Sequence, residues 1–508
     1  LWVRDDVIIA SAHCPVALAH VTASRKLLGI CVAEFVRMSW LLSSRGSVTG
    51  NGGNLATRVA SWMITSHNMS NHAKGVMPAV PSRHRRQYVE HANDVLCTHS
   101  PGPPISMIVT IKNGKFVSII MKRGFRADNN GCVDVSNSES LGGSYNGLFP
   151  MGLIGCLKPA PHEYKYTRFF KRDVEKPNIV DVSVYSEHLD DTALYSENVD
   201  APLASLTHQR HYMAPGVQKI PVRYGKVRGS LFLPPGPGPF PGVVDMFGTA
   251  GGLLEYRSAQ LASRGFASLA LAFFAYEDLP KALEEFDLDY FREAVDFLLR
   301  HEKIISDGIG VIGTSKGGDL ALCMATFIPE IRACVAINGS NACIGANFRA
   351  GHELIPSLPY FDISKVRMHD DGIMETISSV PDSRLHPESV IPIERSNSAF
   401  LFLVGVDDRD LNSEFLAQEA FRRLKHNNYP NSYEVSSYPG TGHLLEPPYS
   451  AHCVASFQHS FMCPILWGGT AKHHCRGQEQ AWLKMRHFLW KNLIEDRCTT
   501  DQKLQSML

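Results

Sequence analysis

A serine flanked by glycines is the first feature of the sequence whose residue types could do chemistry. Gly313, Ser315 and Gly317 fit the pattern G-x-S-x-G, with an apolar run before them and a helix-like run after them. This context is typical of the sharp strand-to-helix turn that exposes a nucleophilic serine, where the flanking positions must be small. A helix N-cap is the alternative, since serine often has that role, but a cap does not require both glycines. The sequence therefore predicts that Ser315 attacks a carbonyl carbon.

A nucleophilic serine needs a base and an acid, and in hydrolases of this kind the chain order is serine, acid, histidine. Asp407, Asp408 and Asp410 follow the apolar run "FLFLVGV", and His443 follows a Gly-Thr-Gly turn in a late loop. Each alone is better explained as a solvated turn or a loop residue. Together, in order and at strand ends, they predict that His443 shuttles the proton and that an aspartate fixes its tautomer. The spacing leaves the choice of aspartate open.

Two backbone amides are expected to stabilise the oxyanion that forms when the carbonyl is attacked. The N–H of Lys316 lies at the start of the helix that follows Ser315, where amide groups point at a developing negative charge. The second donor is expected at Gly248, in the glycine-rich loop of residues 245–256. A phosphate-binding loop is the competing interpretation, but no Lys-Ser/Thr pair follows these glycines.

From residue 226 to residue 495 the sequence alternates between apolar strands and amphipathic helices. "ASLALAFF" reads as a buried strand and "LPKALEEFDLDYFREAVDFLLRHE" as one long helix. Short apolar strands that alternate with helices predict a parallel sheet covered on both faces. The segment of residues 340–398 is longer than an ordinary crossover between two parallel strands. We interpret it either as a lid or substrate-binding insertion, or as a surface excursion without a function. The expected fold class is α/β, with an α/β-hydrolase domain over residues 226–495.

The residues before that domain do not show this alternation of strands and helices. Residues 106–225 contain β-rich runs around the turn signal Asn113-Gly114, which predicts a small all-β, immunoglobulin-like sandwich domain. Residues 1–105 show no clear pattern, and they are left unassigned as a disordered segment, a small module or an artefact of gene prediction. Residues 496–508 form a C-terminal tail.

Composition narrows the classes of partner. Lysine plus arginine and aspartate plus glutamate both number 50, so the formal net charge is zero. The charge therefore gives no reason to expect nucleic acid or an anionic membrane as partner, and no apolar run reaches the roughly 18 residues of a membrane span. Twelve cysteines without a CxxC pair indicate reduced thiols of an intracellular protein. The triplet His473, His474 and Cys475 has no second cluster at ligand spacing, so no metal site is expected.

Several segments together resemble the type I acyl-CoA thioesterases, a family that includes the bile-acid-CoA:amino-acid N-acyltransferases. The resemblance covers about residues 106–492, and the segments that carry it are "GSYNGLFPMGLIGCLKP", "PGPFPGVVDMFGTAGGLLEYRS", "GVIGTSKGGDLALCMA", "FLFLVGVDD" and "GTGHLLEPPY". It implies an N-terminal sandwich domain followed by an α/β-hydrolase domain. It also implies Ser315 as nucleophile, His443 as base and, among the three candidates, Asp408 as acid.

The identity of the nucleophile separates the activities of that family. In the acyltransferase branch the nucleophile looks like a cysteine, whereas this chain has a serine at that position. The acyl-enzyme of a serine is an oxygen ester, which activated water can hydrolyse. The prediction is therefore hydrolysis of fatty acyl-CoA without a cofactor. The alternatives are N-acyl transfer to glycine or taurine, a carboxylesterase of the same fold and a non-catalytic acyl-CoA-binding protein. The oligomeric state stays open.

The sequence leaves three candidate compartments for the protein. The cytosol is the first expectation for an intracellular enzyme of this composition. The ending Ser506-Met507-Leu508 approaches the Ser-Lys-Leu peroxisomal address, so the peroxisome is a second expectation. The mitochondrion is left open.

Overall fold

A computed structural model describes residues 104–113, 116–126, 133–160, 166–186, 201–359, 362–458 and 461–495. The expectations for residues 1–103, for the tail 496–508 and for its Ser-Met-Leu ending lie outside the described residues.

The elements of the described residues are numbered in chain order. The strands are β1 Pro104–Asn113, β2 Phe116–Arg126, β3 Gly142–Gly143, β4 Lys158–Pro159, β5 Asn178–Tyr185, β6 Ala204–Arg210, β7 Gln218–Tyr224, β8 Val227–Leu233, β9 Gly242–Met246, β10 Ala267–Ala272, β11 Phe286–Asp287, β12 Ile309–Thr314, β13 Ile331–Ile337, β14 Phe348–Ala350, β15 Glu353–Ile355, β16 Arg367–Met368, β17 Met374–Glu375, β18 Ala399–Gly405, β19 Tyr433–Tyr438, β20 Ala455–Gln458 and β21 Cys463–Leu466. The α-helices are α1 Gly152–Gly155, α2 Tyr256–Ala262, α3 Leu288–Leu299, α4 Lys316–Phe327, α5 Ser413–His426 and α6 Ala471–Trp490. Single 3₁₀ turns lie at Ile363–Lys365, Ser383–Leu385, Pro387–Ser389 and Ile393–Arg395, and a π-helical turn at Lys491–Glu495 follows α6.

The N-terminal described region is one six-stranded antiparallel sheet in the order β3-β2-β1-β5-β6, with β4 paired to β2. The hairpin of β1 and β2 closes at the pair Asn113 and Phe116, next to the predicted Asn113-Gly114 turn. The hydrophobic core of this sheet also contains Ala451 and Cys475, which come from the part of the chain after β19. Within the described residues this region shows a single large sheet, so the facing sheet of a sandwich remains a prediction.

The second large sheet has eight strands in the order β19-β18-β13-β12-β9-β10-β8-β7. The pairs from β19 to β10 are parallel, and β8 and β7 join antiparallel at one edge. Its central strands are buried over their whole length, which is typical of a sheet covered on both faces. The predicted α/β class is confirmed. The first strand begins at Gln218, eight residues before the expected boundary at 226, because the sheet takes in an antiparallel edge hairpin.

One helix is shorter than the sequence predicted. The long helix expected from Leu279 begins only at Leu288, as α3. Asp287 has an extended backbone, and its side chain accepts a hydrogen bond from the N–H of Asp289, which makes it an N-cap. Phe286 lies in the short strand β11 and pairs with Phe348 of β14. The apolar spacing continued past the cap, so periodicity alone placed the start of the helix too early.

The excursion of residues 340–398 reaches the loops at the carboxyl ends of the strands. It forms the hairpin β14–β15, four 3₁₀ turns and the strands β16 and β17. β17 pairs with β21, which follows His443 in the chain, so both segments share the four-stranded sheet β16-β17-β21-β20. In the part of the chain that the structure describes, no helix is long and apolar enough to cross a membrane.

Candidate active site

Ser315 lies between the end of β12 and the start of α4. Its backbone has φ 56° and ψ −123°, a strained conformation for a residue with a side chain. Although Ser315 occupies the N-cap position of α4, its side chain makes no capping hydrogen bond. The geometry is therefore that of the sharp turn expected for a nucleophile, and the cap explanation does not account for the serine.

The glycines around Ser315 are required by close backbone contacts. A Cβ atom on Gly313 would lie 1.7 Å from the carbonyl oxygen of Gly317, and a Cβ atom on Gly317 would lie 2.2 Å from the carbonyl oxygen of Phe247. A Cβ atom on Gly248 would lie 2.8 Å from the Cβ of Ser315 and 3.2 Å from its Oγ. The structure thus brings Gly248, the predicted second oxyanion donor, against Ser315. The oxyanion roles of the Gly248 and Lys316 amides remain predictions.

A network of buried polar side chains centred on Arg257 supports the turn at Ser315. The Arg257 side chain on α2 donates to the Oδ1 of Asp245 at 2.6 Å, to the Oγ1 of Thr314 at 2.6 Å and to the carbonyl oxygen of Met246 at 2.7 Å. Thr314 directly precedes the serine, and Met246 ends the neighbouring strand β9. A buried guanidinium with a partner at each of its three nitrogens holds these two strand ends in a fixed relation.

The side chain of Lys316 points into the protein rather than to solvent. Its Nζ lies 3.0 Å from the Oδ2 of Asp319, and both side chains are buried. Burial lowers the pKa of Lys316, but the Asp319 carboxylate raises it, and the net pKa lies above its ordinary value. The same Oδ2 accepts the N–H of Ile344 at 2.9 Å. This pair therefore connects the first turn of α4 to the segment after β13.

Among the three candidate aspartates, Asp408 is the one hydrogen-bonded to His443. Its Oδ2 lies 2.7 Å from the Nδ1 of His443, and the two residues are 2% and 1% exposed. The Oδ1 of Asp408 accepts from the N–H groups of Asp410 at 2.9 Å and Leu411 at 3.0 Å, and its Oδ2 also accepts from the hydroxyl of Ser413. A carboxylate with this many donors is held in one orientation, which is what orients an imidazole through Nδ1–H.

The two neighbouring aspartates face different groups. Asp407 pairs with the Arg409 guanidinium at 2.7 Å, and its Oδ2 accepts the N–H of Gly469 at 3.0 Å. The Oδ2 of Asp410 lies 3.4 Å from the Nε2 of His443. The imidazole therefore stands between two carboxylates, one at each ring nitrogen.

Burial and charge act in opposite directions on His443. Burial lowers the pKa of the imidazole, but the Asp408 and Asp410 carboxylates raise it, and the net pKa lies above the ordinary histidine value. Arg168 acts weakly in the lowering direction. A base with a raised pKa accepts a proton readily, provided the pH is high enough for the ring to be neutral.

Asn338 positions the loop of His443, and sequence reasoning missed it. Its Nδ2 donates to the carbonyl oxygens of His443 at 2.7 Å and Gly442 at 3.2 Å, while its Oδ1 accepts the N–H of Gly405 at 2.7 Å. Asn338 follows β13 with φ 45°, a left-handed conformation that asparagine tolerates. One side chain thus joins the end of β18, which leads to Asp408, to the loop of the histidine. An asparagine directly after a buried strand was the only signal in the sequence.

His474 holds the same loop from the other side. Its Nδ1 accepts the N–H of Gly442 at 3.1 Å, and its Nε2 lies 2.9 Å from the carbonyl oxygen of Leu444. Burial lowers the pKa of His474 to about 3, so the ring is neutral and Nε2 is its donor. The Trp467 ring stacks on His443 with centroids 5.5 Å apart. Within the described residues no cluster of His, Cys, Asp or Glu could hold a metal ion, and His474 acts instead as a backbone clamp.

The N-terminal region reaches the same loop through two arginines. Arg168 forms an ion pair at 2.5 Å with the buried Glu446, which also accepts the hydroxyl of Tyr256 at 2.7 Å. The Arg168 guanidinium lies 4.9 Å from the ring centre of Phe247, next to Gly248. Arg210 at the end of β6 donates to the carbonyl oxygens of Pro448 and Tyr449. The segment after His443 is therefore fixed by side chains that precede the eight-stranded sheet in the chain.

Comparison with known families gives two adjoining matches. The family described as "Acyl-CoA thioester hydrolase/BAAT N-terminal region" matches residues 113–224. The family described as "BAAT / Acyl-CoA thioester hydrolase C terminal" matches residues 286–495. The second match includes the serine, the aspartates and the histidine of the candidate site.

Curated relatives align with most of the chain. Acyl-coenzyme A thioesterase 3 of Mus musculus is 40% identical over 407 residues, which cover 80% of this chain and 91% of the relative. Acyl-coenzyme A thioesterase 1 of Homo sapiens is 42% identical over 396 residues, or 78% of this chain and 91% of the relative. Acyl-coenzyme A thioesterase 2, mitochondrial, of Rattus norvegicus is 41% identical over 394 residues, or 78% and 84%.

Proposed function

The chain belongs to the BAAT / acyl-CoA thioester hydrolase family, and we propose that it hydrolyses fatty acyl-CoA to free fatty acid and CoA. The observation that carries the proposal is the arrangement of Ser315 on a strained turn with the hydrogen-bonded pair of Asp408 and His443. This arrangement occurs in a chain whose relatives are named acyl-coenzyme A thioesterases.

We propose a two-step reaction through an acyl-enzyme. The Oγ of Ser315 attacks the thioester carbonyl carbon while the Nε2 of His443 takes the hydroxyl proton. The C–S bond breaks, the acyl group stays on Ser315 as an oxygen ester, and the sulfur of CoA leaves with that proton. Water then attacks the ester with His443 again as base, which releases the fatty acid and restores the serine hydroxyl. Asp408 keeps Nδ1 protonated throughout, and the amides of Lys316 and Gly248 stabilise the oxyanion of each step.

Hydrolysis is the expected fate of the acyl group because the nucleophile is a serine. The acyl-enzyme is then an oxygen ester, which reacts less readily with an amine than a cysteine thioester does, while water activated by His443 suffices. Acyl transfer to glycine or taurine is the competing outcome. Amide formation can be measured directly by adding either amine to the reaction.

The thiol released from acyl-CoAs of graded chain length tests the proposal. We expect the Ser315→Ala variant to lose about a thousandfold or more in kcat, because the hydroxyl that forms the acyl-enzyme is gone. Ser364→Ala is a matched control, since this serine is exposed in the excursion and its hydroxyl donates to the carboxylate of Asp362. Equal rates for wild type and Ser315→Ala would refute the assignment of the nucleophile. Amide as the main product with added glycine would refute hydrolysis as the activity.

We infer an intracellular location from the thiols. The cysteines of the described residues are free, and all but Cys463 are buried, which suits a reducing compartment. The cytosol is our first proposal. Subcellular fractionation of the full chain tests it, and enrichment with mitochondria or peroxisomes would replace it.

A further inference from the structure

The Nε2 atom of His443 has a carboxylate next to it that the proposed reaction does not use. A base in a Ser-His-Asp triad exchanges protons with the serine through Nε2. The Oδ2 of Asp410 lies 3.4 Å from this atom, whereas the Oδ2 of Asp408 lies 2.7 Å from Nδ1. Asp410 therefore competes for the proton that the reaction must move.

Asp410 is held in this place by two neighbours, Asp408 and Thr376. Its backbone N–H donates to the Oδ1 of Asp408 at 2.9 Å, so the two carboxylates share one tight turn. The Thr376 hydroxyl donates to the Oδ1 of Asp410 at 2.8 Å and also contacts its carbonyl oxygen at 3.0 Å. With Oδ1 occupied in this way, Oδ2 is the oxygen that faces the imidazole. Thr376 comes from the excursion of residues 340–398, directly after β17, so this segment helps to fix the carboxylate.

Resting on the proposed function, we propose that Asp410 is a positioning residue that accepts the Nε2–H of protonated His443 and keeps the ring in a form that cannot take the Ser315 proton. While the ring stays protonated, no covalent bond is formed or broken. The proton stays on Nε2 and points to Asp410. When the ring becomes neutral, the Nε2–H bond breaks and the proton passes to water. The Nε2 atom can then accept the proton of the Ser315 hydroxyl.

The charges that face His443 fix the sign of the effect. Asp408 and Asp410 favour the protonated ring and Arg168 opposes it, while the Trp467 ring that stacks on the imidazole carries no charge. Around Asp410, burial raises the pKa of the carboxyl, His443 lowers it, Asp408 raises it and the Thr376 hydrogen bond lowers it. Removal of the Asp410 charge therefore lowers the pKa of His443. The neutral ring then persists to lower pH, so the acid limb of the rate profile moves to lower pH.

The Asp410→Asn variant tests this inference, because it removes the charge and keeps an oxygen for the Thr376 hydroxyl. We expect the acid limb of kcat/KM for acyl-CoA to move down by about half a pH unit or more. On that limb the variant is then about threefold faster than wild type, while the two rates at the high-pH plateau agree within about threefold. A merely structural role would slow the enzyme at every pH and would not produce faster turnover in acid.

Asp407→Asn is the matched control, since it makes the same change of charge in the same turn but at a carboxylate that faces Arg409 and Gly469. Its acid limb should coincide with that of wild type. If Asp410→Asn unfolds, Thr376→Val loosens the carboxylate instead, and we expect a smaller shift in the same direction. An unchanged or upward-shifted acid limb in a folded variant would overturn the inference.

A second readout separates this inference from the proposed function. The rate at which a small fluorophosphonate modifies Ser315 depends on the same base but not on acyl-CoA. If wild type releases no thiol from acyl-CoA, the proposed function fails, while the pH profile of phosphonylation still tests Asp410. If wild type releases thiol but Asp410→Asn leaves both profiles unchanged, only the Asp410 inference fails.

Discussion

The two halves of the candidate site are built in different ways. The nucleophile half is local, because the strained turn at Ser315 and the glycines at 313 and 317 lie within one strand-turn-helix segment. The base half is assembled from distant segments, since His443 is held by Asp408, Asn338 and the clamp of His474. The first half depends on the absence of side chains, and the second depends on particular side chains being present.

This difference predicts different responses to mutation. A local turn that tolerates no Cβ atom should fail abruptly, because backbone atoms cannot move apart cheaply. A loop held by several independent bonds should lose activity in steps as its supporting bonds are removed, and a side chain of similar hydrogen-bonding capacity should restore it. Asp408 differs from these supports because it bonds to the imidazole itself, so its replacement should have a large effect at once. Three comparisons test this contrast, from the largest expected effect to the smallest.

The largest effect should distinguish the aspartates of the base half. Asp408→Asn is expected to lower kcat about ten-thousandfold, because the amide no longer holds His443 in the tautomer with Nδ1–H. Asp407→Asn should stay within about threefold of wild type, since Asp407 bonds to Arg409 and Gly469 rather than to the imidazole. Thiol-release kinetics measure both. A larger loss for Asp407→Asn than for Asp408→Asn would contradict the observed pairing.

The next effect belongs to the nucleophile half. Gly317→Ala places a Cβ atom 2.2 Å from the carbonyl oxygen of Phe247, so the turn must shift away from the loop that carries Gly248. A shift of about 1 Å costs about a hundredfold in kcat, and the strain should lower the free energy of unfolding by about 1–3 kcal/mol. Denaturant titration and thiol release measure the two effects. Gly351→Ala is a control without a steric clash, because a Cβ atom there meets nothing within 4 Å, although its φ of 60° adds local strain.

The smallest effect concerns the clamp of the base half. His474→Phe removes both hydrogen bonds to the loop, and we expect about a tenfold loss of kcat, less than a full ångström of displacement would cost. His474→Gln can accept from Gly442 and donate to Leu444, so it should recover most of the rate. His473→Phe, at an exposed neighbour on α6, should have no effect. Equal losses for the Phe and Gln variants at 474 would show that packing, rather than the two bonds, holds the loop.

Sequence reasoning was most successful where the chemistry is local. The pattern G-x-S-x-G has a steric cause that the structure shows at both glycines: Gly313 lies against the carbonyl of Gly317 in the same turn, and Gly317 lies against the carbonyl oxygen of Phe247, directly after the neighbouring strand β9. The buried parallel strands were predicted for a similar reason, because each carries its own continuous apolar run. The start of α3 was predicted too early, since the cap at Asp287 competes with an apolar period that continues past it.

Sequence reasoning did not find the side chains that assemble the base half. Three such side chains are Asn338, Arg168 and His474. His474 contacts residues thirty or more positions away along the chain, and Asn338 and Arg168 contact residues more than a hundred positions away. Single residues of common type carry no local signal of such contacts. The choice of Asp408 came from a family resemblance, and the structure supplies a geometric reason for it through the bond to Nδ1 of His443.

The most direct test of the central claim is intact-protein mass spectrometry of the acyl-enzyme, with peptide mapping of the modified residue. Wild-type protein is mixed with a long-chain acyl-CoA and quenched in acid within the first turnover, because a thioester acylates the serine more readily than water hydrolyses the resulting oxygen ester. We predict one acyl group per chain, an equal amount of free CoA thiol in the first turnover, and a modified peptide that contains Ser315. Acylation that persists in the Ser315→Ala variant, or that maps to a cysteine such as Cys343, would contradict the account.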